Sequence, residues 1–403
     1  MNRFCTYLYF FLIHYTYHDA ILKKLKYFLI ILITAGCKEK FDLPVIAMGT
    51  NYLVVEGFIN SGEGATNIHL SRTTKLADTT VLKPEPGAQV MVEGDDNMRN
   101  LLSEKGAGLY SVDQLSLNNN NKYRLVIHTS EGKEYASGYV PVKQVPPIDS
   151  VSWKKENNQI IISVSAHDPQ NNTRYYRWEY EETWEYHSVF ESHLKYENRR
   201  IIRRDSSDNI FKCWHIINSP TIQLGSSVRL VEDVIADYPI MIFPIGSEKT
   251  RFLYSILVKQ YAIDKGSYEF WSLMKKNTEQ IGSVFDAQPS QLTGNIVCVN
   301  NPKEQVIGYI SASSVTTKRI FINYTELLPE HFYSTPFSEC RQWNVEPDSG
   351  SLNYYFGTYS ALFTPLDSNY AIPVGFIGIG RAEIDCADCR EKGGTNKKPS
   401  YWP

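Results

Sequence analysis

Residues 174–186 are the clearest indication of the fold class; they read Arg-Tyr-Tyr-Arg-Trp-Glu-Tyr-Glu-Glu-Thr-Trp-Glu-Tyr. Large aromatic side chains occupy alternate positions of this stretch: Tyr176, Trp178, Tyr180, Trp184 and Tyr186. Charged residues such as Arg177 and Glu179 stand between them. A period of two residues places the two sets on opposite faces of a β-strand. The stretch therefore predicts a strand with an aromatic face and a charged face.

The aromatic face of this strand has two interpretations. It packs against a facing sheet as core, which we favour, or it stays exposed as a sugar-stacking platform or a membrane-facing surface. The exposed interpretation makes Trp178, Trp184 and Trp214 candidate ligand-binding residues. Both interpretations require a sheet, so the stretch indicates a mainly β protein.

Short runs of alternating apolar and polar residues extend the β pattern towards the N-terminus, between residues 52 and 142. Clusters of turn-forming residues separate them, such as 61–64 and 118–121. This spacing predicts an immunoglobulin-like β-sandwich over residues 51–144. Pro146 and Pro147 then predict a linker, because consecutive prolines fix φ and cannot donate ladder hydrogen bonds.

A second, larger β-rich region is expected over residues 148–384, with one amphipathic helix at 264–282. Asp264 can cap that helix, and Gly282 can end it. Apolar and aromatic residues recur between them at spacings of three and four, with Trp271 as the expected anchor on the sheet. Residues 385–403 are rich in Gly, Lys and Pro and are read as an irregular, disulfide-pinned tail.

The N-terminal residues resemble a bacterial lipoprotein signal. Lysines at 23, 24 and 26 precede the apolar run 27–33, and Thr34-Ala35-Gly36 leads into Cys37. Basic, apolar and small residues in this order suit insertion and cleavage of a secretory leader. We expect residues 1–36 to be removed, Cys37 to be acylated, and residues 37–50 to form a tether. Multiple acyl chains would hold the protein stably at a bilayer.

Residues 1–20 do not fit such a leader, because residues 4–17 form an additional apolar, aromatic run. One hypothesis places the true start near Ile21 or Leu22, at a codon other than that for Met. The alternative for the whole N-terminal segment is one transmembrane helix with a hairpin. After Cys37, a single acidic residue stands between Lys38 and Lys40, so the sequence does not decide between the surface and periplasmic leaflets.

Five cysteines remain when Cys5 and Cys37 are set aside from the seven: Cys213, Cys298, Cys340, Cys386 and Cys389. An oxidising compartment permits disulfides, and an odd number leaves at least one thiol without a partner in the chain. One arrangement pairs Cys213 with Cys298 and Cys340 with Cys386 or Cys389, although spacing alone does not fix the connectivity. Cys386 and Cys389 form one CxxC motif. No second CxxC or His pair follows it at metal spacing, so no metal is expected.

The sequence contains no Gly-x-Ser-x-Gly elbow, His-Glu-x-x-His motif, Walker loop or dinucleotide fingerprint. Glu181, Glu182 and Glu185 could form a glycosidase pair, but solvated strand positions explain them more simply. We therefore expect no enzymatic activity and no cofactor. The formal net charge of -3 gives no electrostatic reason to expect a nucleic-acid partner.

Several motifs together resemble one protein family; they lie at 54–57, 254–261, 270–271, 276–279, 282–289, 294–296, 306–309 and 386–402. The chain resembles the Bacteroidota lipoproteins grouped as a domain of unknown function, which are often encoded beside TonB-dependent outer-membrane receptors. The resemblance implies an outer-membrane lipoprotein that works with such a β-barrel receptor in nutrient uptake. It implies no catalytic residues. The alternative is a surface glycan-binding lipoprotein that uses exposed aromatic residues.

Overall fold

The computed structural model describes residues 51–74, 83–279, 292, 294–327 and 339–403. The predicted signal segment, Cys37 and the tether to residue 50 lie outside the described residues, as does Gly282. The described chain is mainly β and contains several sheets, which confirms the predicted fold class at that level. None of its helices has the length and apolar composition needed to span a membrane.

Strands make up about half of the described chain. The first ten are Leu53–Gly57 (β1), Ile59–Asn60 (β2), Thr66–Arg72 (β3), Lys83–Pro84 (β4), Gln89–Gly94 (β5), Arg99–Gly106 (β6), Leu109–Val112 (β7), Lys122–His128 (β8), Glu134–Ser137 (β9) and Val140–Lys143 (β10). The next nine are Ile148–Glu156 (β11), Gln159–Asp168 (β12), Tyr175–His187 (β13), Leu194–Glu197 (β14), Arg200–Arg203 (β15), Lys212–Asn218 (β16), Gln223–Ser226 (β17), Asp233–Pro244 (β18) and Leu253–Ala262 (β19).

Seven more strands follow the main helix: Ile296–Cys298 (β20), Val306–Ile307 (β21), Ala312–Ser313 (β22), Thr316–Asn323 (β23), Gln342–Val345 (β24), Phe363–Ala371 (β25) and Gly375–Glu383 (β26). The described α-helices are Lys265–Glu279 (α1), Ser349–Leu352 (α2) and Ile384–Ala387 (α3). Short helical turns of other types lie at Ser206–Asp208, Glu248–Thr250, Tyr324–Glu326, Asn353–Thr358 and Cys389–Lys392.

The first sheet has 13 strands, and its main path runs β2-β22-β10-β8-β5-β6-β7-β3-β1-β21. Three of its strands come from late in the chain. β20 pairs antiparallel with β9, β21 pairs parallel with β1, and β22 pairs parallel with both β2 and β10. These strands lie in the sequence range predicted for the second region, 148–384. Segments that return from beyond α1 therefore complete the sheet of residues 51–144.

Two further sheets face each other across one core. The three-stranded sheet β11-β12-β18 packs on the five-stranded sheet β16-β13-β19-β23, in which β17 also pairs with β13. The aromatic face of β13 fills the space between them, and none of its five rings is more than 7% exposed: Tyr176, Trp178, Tyr180, Trp184 and Tyr186. Trp178 stacks on Tyr238 of β18 with ring centroids 4.9 Å apart. The period-two pattern therefore marks core, as the favoured interpretation predicts.

Gln260 of β19 connects this core to the proline linker. Its side chain is fully buried; Oε1 accepts the indole N–H of Trp178 at 2.9 Å, and Nε2 donates to the carbonyl of Pro146 at 2.9 Å. Thr316 donates to the same carbonyl at 3.1 Å. A buried amide that satisfies two buried groups is costly to replace, because either group would be left without a partner. The linker is thus fixed to the second core.

Glu182 departs from the prediction that the acids of β13 are solvated. It lies on the aromatic face, is 2% exposed, and accepts from Lys249 Nζ at 2.7 and 2.9 Å and from the Tyr254 hydroxyl at 2.7 Å. A buried carboxylate is tolerated only when paired and hydrogen-bonded in this way. Glu181 and Glu185 lie on the opposite face, so Glu182 forms no acid pair with either.

The predicted helix is present as α1. Asp264 caps it as expected: its Oδ1 accepts the Ser267 amide at 2.7 Å, and its carbonyl accepts the Tyr268 amide at 3.0 Å. The expected anchor, however, is not the most buried ring. Phe270 is 4% exposed, whereas Trp271 is only half-buried. Trp271 instead lies against the guanidinium of Arg177, 4.0 Å from its ring centroid.

Two disulfides hold the C-terminal tail, Cys213–Cys389 and Cys340–Cys386. The pairing of Cys340 with one of the last two cysteines is confirmed, and the pairing of Cys213 with Cys298 is wrong. Cys298 lies in β20 within the core of the first sheet, whereas Cys213 lies in the second core. Cys298 is a buried free thiol, which accounts for the odd cysteine.

Glu185 ties the end of the tail to the outer face of β13. It accepts from Lys212 Nζ at 3.0 Å, from the His187 ring at 2.9 Å and from the Trp402 indole at 3.2 Å. Burial raises the pKa of this carboxyl, but the hydrogen bonds and the Lys212 charge outweigh burial and bring its pKa to about 2. The charged form is thus the one that the fold stabilises.

We expect Glu185 to make the free energy of unfolding depend on pH in the acidic range. Because its folded pKa of about 2 lies below the ordinary 4.5, its contribution is complete above pH 4.5 and is lost as the pH falls through the folded value. Urea unfolding between pH 6 and pH 2.5 should show Glu185→Gln converging with the wild type as the pH falls, from a gap of about 2–3 kcal/mol at neutral pH. A gap that is constant with pH would contradict this assignment.

Candidate functional site

The candidate site is a cleft of about 320 Å³ between the first sheet and α1. Four segments line it: β1, the loop at Pro220 and Ile222, α1, and residues 307–309. Two of the walls are strands of the first sheet, since β1 and β21 pair in parallel. The third wall is the helix that packs beside β13. The cleft therefore exists only when the late strand β21 is in place.

The cleft has an apolar interior and an acidic rim. Its apolar lining comes mainly from Val54, Ile222, Phe270, Met274 and Ile307, with Trp271 and Tyr309 as aromatic members. Its charged members are both carboxylates, Glu56 and Glu279. None of the lining residues is a Lys or Arg, but Lys275 beside the lining forms an ion pair with Glu279, its Nζ 3.9 Å from Glu279 Oε2. The apolar lining thus favours an uncharged apolar group, and the carboxylates at the rim disfavour an anion.

A clamp fixes the loop at Ile222 to the C-terminal part of α1. Lys275 Nζ donates to the Ile222 carbonyl at 2.6 Å, and Glu279 Oε1 accepts the Ile222 amide at 2.6 Å. Both backbone groups of one residue are thereby satisfied by side chains one turn apart on the helix. This wall of the cleft is therefore rigidly positioned.

A second set of contacts fixes the wall at residues 307–309. The Tyr309 hydroxyl donates to Asp264 Oδ1 at 3.0 Å, the same oxygen that caps α1. Gly308 has φ +148°, and a Cβ at that position would lie 2.3 Å from the Val55 carbonyl oxygen. Only glycine allows the backbone to approach β1 this closely. The helix cap and the two strands thus form one assembly.

Trp271 lines the cleft, and the guanidinium of Arg177 lies over its ring. Arg177 is held by Glu179 and lies 5.3 Å from the ring centroid of Tyr261. Tyr261 donates its hydroxyl to Glu179 at 2.7 Å, and its pKa is raised chiefly by burial. The charged face of β13 therefore positions the aromatic ring at the cleft.

The aromatic residues predicted as sugar platforms do not lie at this cleft. Trp178, Trp184 and Trp214 are 0%, 7% and 5% exposed. Trp184 lies 4.8 Å from the His215 ring centroid, and Trp214 packs edge-on against Trp402. Rings covered by protein on this scale offer no face for a sugar, so the glycan-binding alternative loses the residues on which it was based.

The cysteines form no metal site in the described chain. Glu383, Asp385 and Cys386 bring three potential ligand atoms within 4.8 Å of one another. The Cys386 sulfur, however, is bonded to Cys340, so no thiolate is available there. The two remaining acids are a surface pair.

Sequence reasoning did not identify the cleft, although one signal for it was present. Four of the motifs that carry the family resemblance line it: 54–57, 270–271, 276–279 and 306–309. They come from distant parts of the sequence, and only the pairing of β1 with β21 and the docking of α1 bring them together. The fold brings these family motifs together at one cleft. Their meeting there has two explanations: a packing requirement, as at Gly308, or a binding site common to the family.

These features define a class: a β-rich protein of several sheets with a small apolar cleft beside its main helix. A family model described as "Domain of unknown function (DUF4249)" matches residues 38–319. The match covers more than half of the chain, so the chain belongs to this family. The resemblance to a family of unknown function is confirmed to that extent.

Comparisons with other proteins add little to the family match. No curated protein matches the chain. The chicken interferon gamma receptor alpha chain is 11% identical, with 54% of this chain and 91% of that chain covered and a TM-score of 0.14. A putative carbohydrate binding protein from Bacteroides uniformis is 10% identical, with 54% and 92% covered and a TM-score of 0.13. Likenesses this weak carry no argument about the chain.

The geometry of the cleft wall predicts a graded effect of alanine substitutions. Gly138→Ala adds a Cβ in open space, Gly106→Ala adds only the strain of φ +103°, and Gly308→Ala adds both strain and a 2.3 Å contact with backbone. We expect costs in the free energy of unfolding of about 0, about 1 and about 3 kcal/mol, respectively. Urea unfolding followed by circular dichroism measures them. Equal costs for Gly308→Ala and Gly106→Ala would show that the close approach is absent.

Proposed function

We propose that the protein is a lipoprotein of the bacterial cell envelope, anchored through Cys37 and acting without catalysis. The observation that carries the proposal is the order of lysines, apolar run, small residues and cysteine at 23–37. The family match begins at residue 38, directly after the proposed acylation site, which supports a folded portion that follows the anchor. Acyl chains contribute about 0.8 kcal/mol per buried methylene, enough for stable attachment when more than one is present.

We further propose that the protein is an accessory or ligand-binding component of a TonB-dependent uptake system at the outer membrane. The resemblance to Bacteroidota lipoproteins encoded beside such receptors suggests this partner. The rigid sheets supply a scaffold, and the cleft beside α1 supplies a preformed contact site. Its apolar lining suits an apolar side chain of the receptor or an apolar part of the imported compound. The leaflet that carries the anchor stays open in this proposal.

The immunoglobulin-like arrangement is part of the same proposal for residues 51–144. Of the strands β1 to β10, all except β4 share one core, which includes Leu53, Ile68, Val90 and Tyr123, all fully buried. A single core beneath a sheet that folds back on itself is what a sandwich of this size requires. Contributions from β20 to β22 add strands to that arrangement.

One fractionation experiment tests both the anchor and the partner. Native membranes are solubilised gently, the protein is isolated, and co-isolated β-barrel receptors are identified, for the wild type and three variants. We expect the wild type in the membrane fraction with a barrel receptor, and Cys37→Ser without acylation in the aqueous fraction. We expect Met274→Arg to remain anchored but to lose at least about tenfold in receptor yield, because a charge would fill the apolar cleft.

Val231→Arg is the matched control, since Val231 is 94% exposed and is not part of the cleft lining. It should retain the full receptor yield. Wild-type protein recovered in the aqueous fraction would overturn the anchor. Anchored protein that emerges alone would overturn the accessory role, and normal yield with Met274→Arg would exclude the cleft as the contact site.

A further inference from the structure

The hairpin of β25 and β26 ends in an exposed apolar tip. No charged residue occurs between positions 369 and 380, and residues 372–377 are exposed without interruption. Ile372 is 100% exposed, Val374 75%, Tyr370 71% and Phe376 45%. Soluble surfaces rarely carry an unbroken run of exposed apolar residues unless it has a function.

The tip projects beyond the rest of its sheet. β24 pairs with β26 only opposite residues 379–382, and past that point β25 and β26 pair with each other alone as far as Ala371 and Gly375. Four strand residues at about 3.3 Å each place the turn roughly 13 Å beyond the third strand. In the described chain the turn residues 372–374 therefore form a narrow, convex knob.

We propose that this tip inserts into the headgroup and upper acyl region of a lipid bilayer. A knob two strands wide offers far less than the roughly 800 Å² that each partner buries in a stable protein interface. A bilayer needs only an uncharged apex, because charged side chains are costly in hydrocarbon. Ile372 and Val374 form such an apex.

Tyr370 and Phe376 complete the fit to a membrane surface. They form a cross-strand pair one step behind the turn, with ring centroids 5.7 Å apart. Aromatic rings prefer the zone between headgroups and acyl chains, with aliphatic residues deeper. The hairpin leaves backbone groups without partners at its edges, and such groups must stay hydrated, so insertion is shallow, about 5–10 Å.

The presence of a bilayer near this tip rests on the proposed function, in which Cys37 carries an acyl anchor. Thirteen residues, 38–50, separate Cys37 from the first described residue, Asn51. A fully extended chain of that length spans at most roughly 45 Å. An acyl anchor on Cys37 would therefore hold the folded chain within reach of the membrane surface, where a weakly inserting tip acts as a second contact.

The test uses the full chain purified from membranes and reconstituted into vesicles of phosphatidylethanolamine and phosphatidylglycerol. An environment-sensitive dye is attached in Ile372→Cys or, as the matched control, in Val231→Cys, another highly exposed apolar position. Cys298 is buried and is not expected to react. Lipids that carry a quencher high on the acyl chain should quench about half of the emission at position 372 and almost none at position 231. Adding Val374→Asp should reduce the quenching at 372 by about tenfold.

The outcomes separate this inference from the proposed anchor. Quenching at 372 by a protein that proves to be unacylated keeps the inference and overturns the anchor. Protein that floats with the vesicles while position 372 is quenched no more than position 231 overturns the inference and keeps the anchor. A dye that responds only in native membranes, and never in the lipid vesicles, would assign the tip to a protein partner and also overturn the inference.

Discussion

The buried aromatic face of β13 holds the second half of the molecule together. Five large rings lie between two sheets, and burial of each contributes about 2–3 kcal/mol or more to folding. Gln260 links this core to the linker, because one amide satisfies both the Trp178 indole and the Pro146 carbonyl. The packing of the second core thus fixes residue 146, where the chain passes from the first sheet to the second core.

The opposite face of β13 extends the same constraint to the cleft. Arg177 lies against Trp271 of α1, and Glu179 accepts a hydrogen bond from Tyr261. The charged face of β13 therefore contacts α1 through Arg177. The cap residue Asp264 then binds Tyr309 and fixes the late segment that pairs with β1. The cleft therefore depends on the pairing of β21 with β1 and on the contacts of the cap residue Asp264. The tail is secured by Glu185 of the same strand and by the Cys213–Cys389 bond from the neighbouring strand β16.

Local patterns were predictable from sequence, and non-local pairings were not. A period of two revealed β13 and its two faces, and an Asp followed by three- and four-residue spacing revealed α1. The return of β20 to β22 to the first sheet left no such signal, because β21 and β22 are only two residues long and pair with strands far away in sequence. The same holds for Cys213, whose partner depends on which core each cysteine enters. Glu182 was predicted to be solvated, because its partner Lys249 lies in another element and left no signal beside it in the sequence.

Native-state hydrogen exchange along residues 175–187 tests most directly whether the aromatic face of β13 is buried between two sheets. β13 pairs with β16 and β17 on one side and with β19 on the other, so its amides should exchange only on global unfolding. The account predicts that their opening free energies equal the global value from denaturant unfolding. Exchange of these amides as fast as that of the exposed turn at 372–374 would show that the aromatic face is not buried between two sheets.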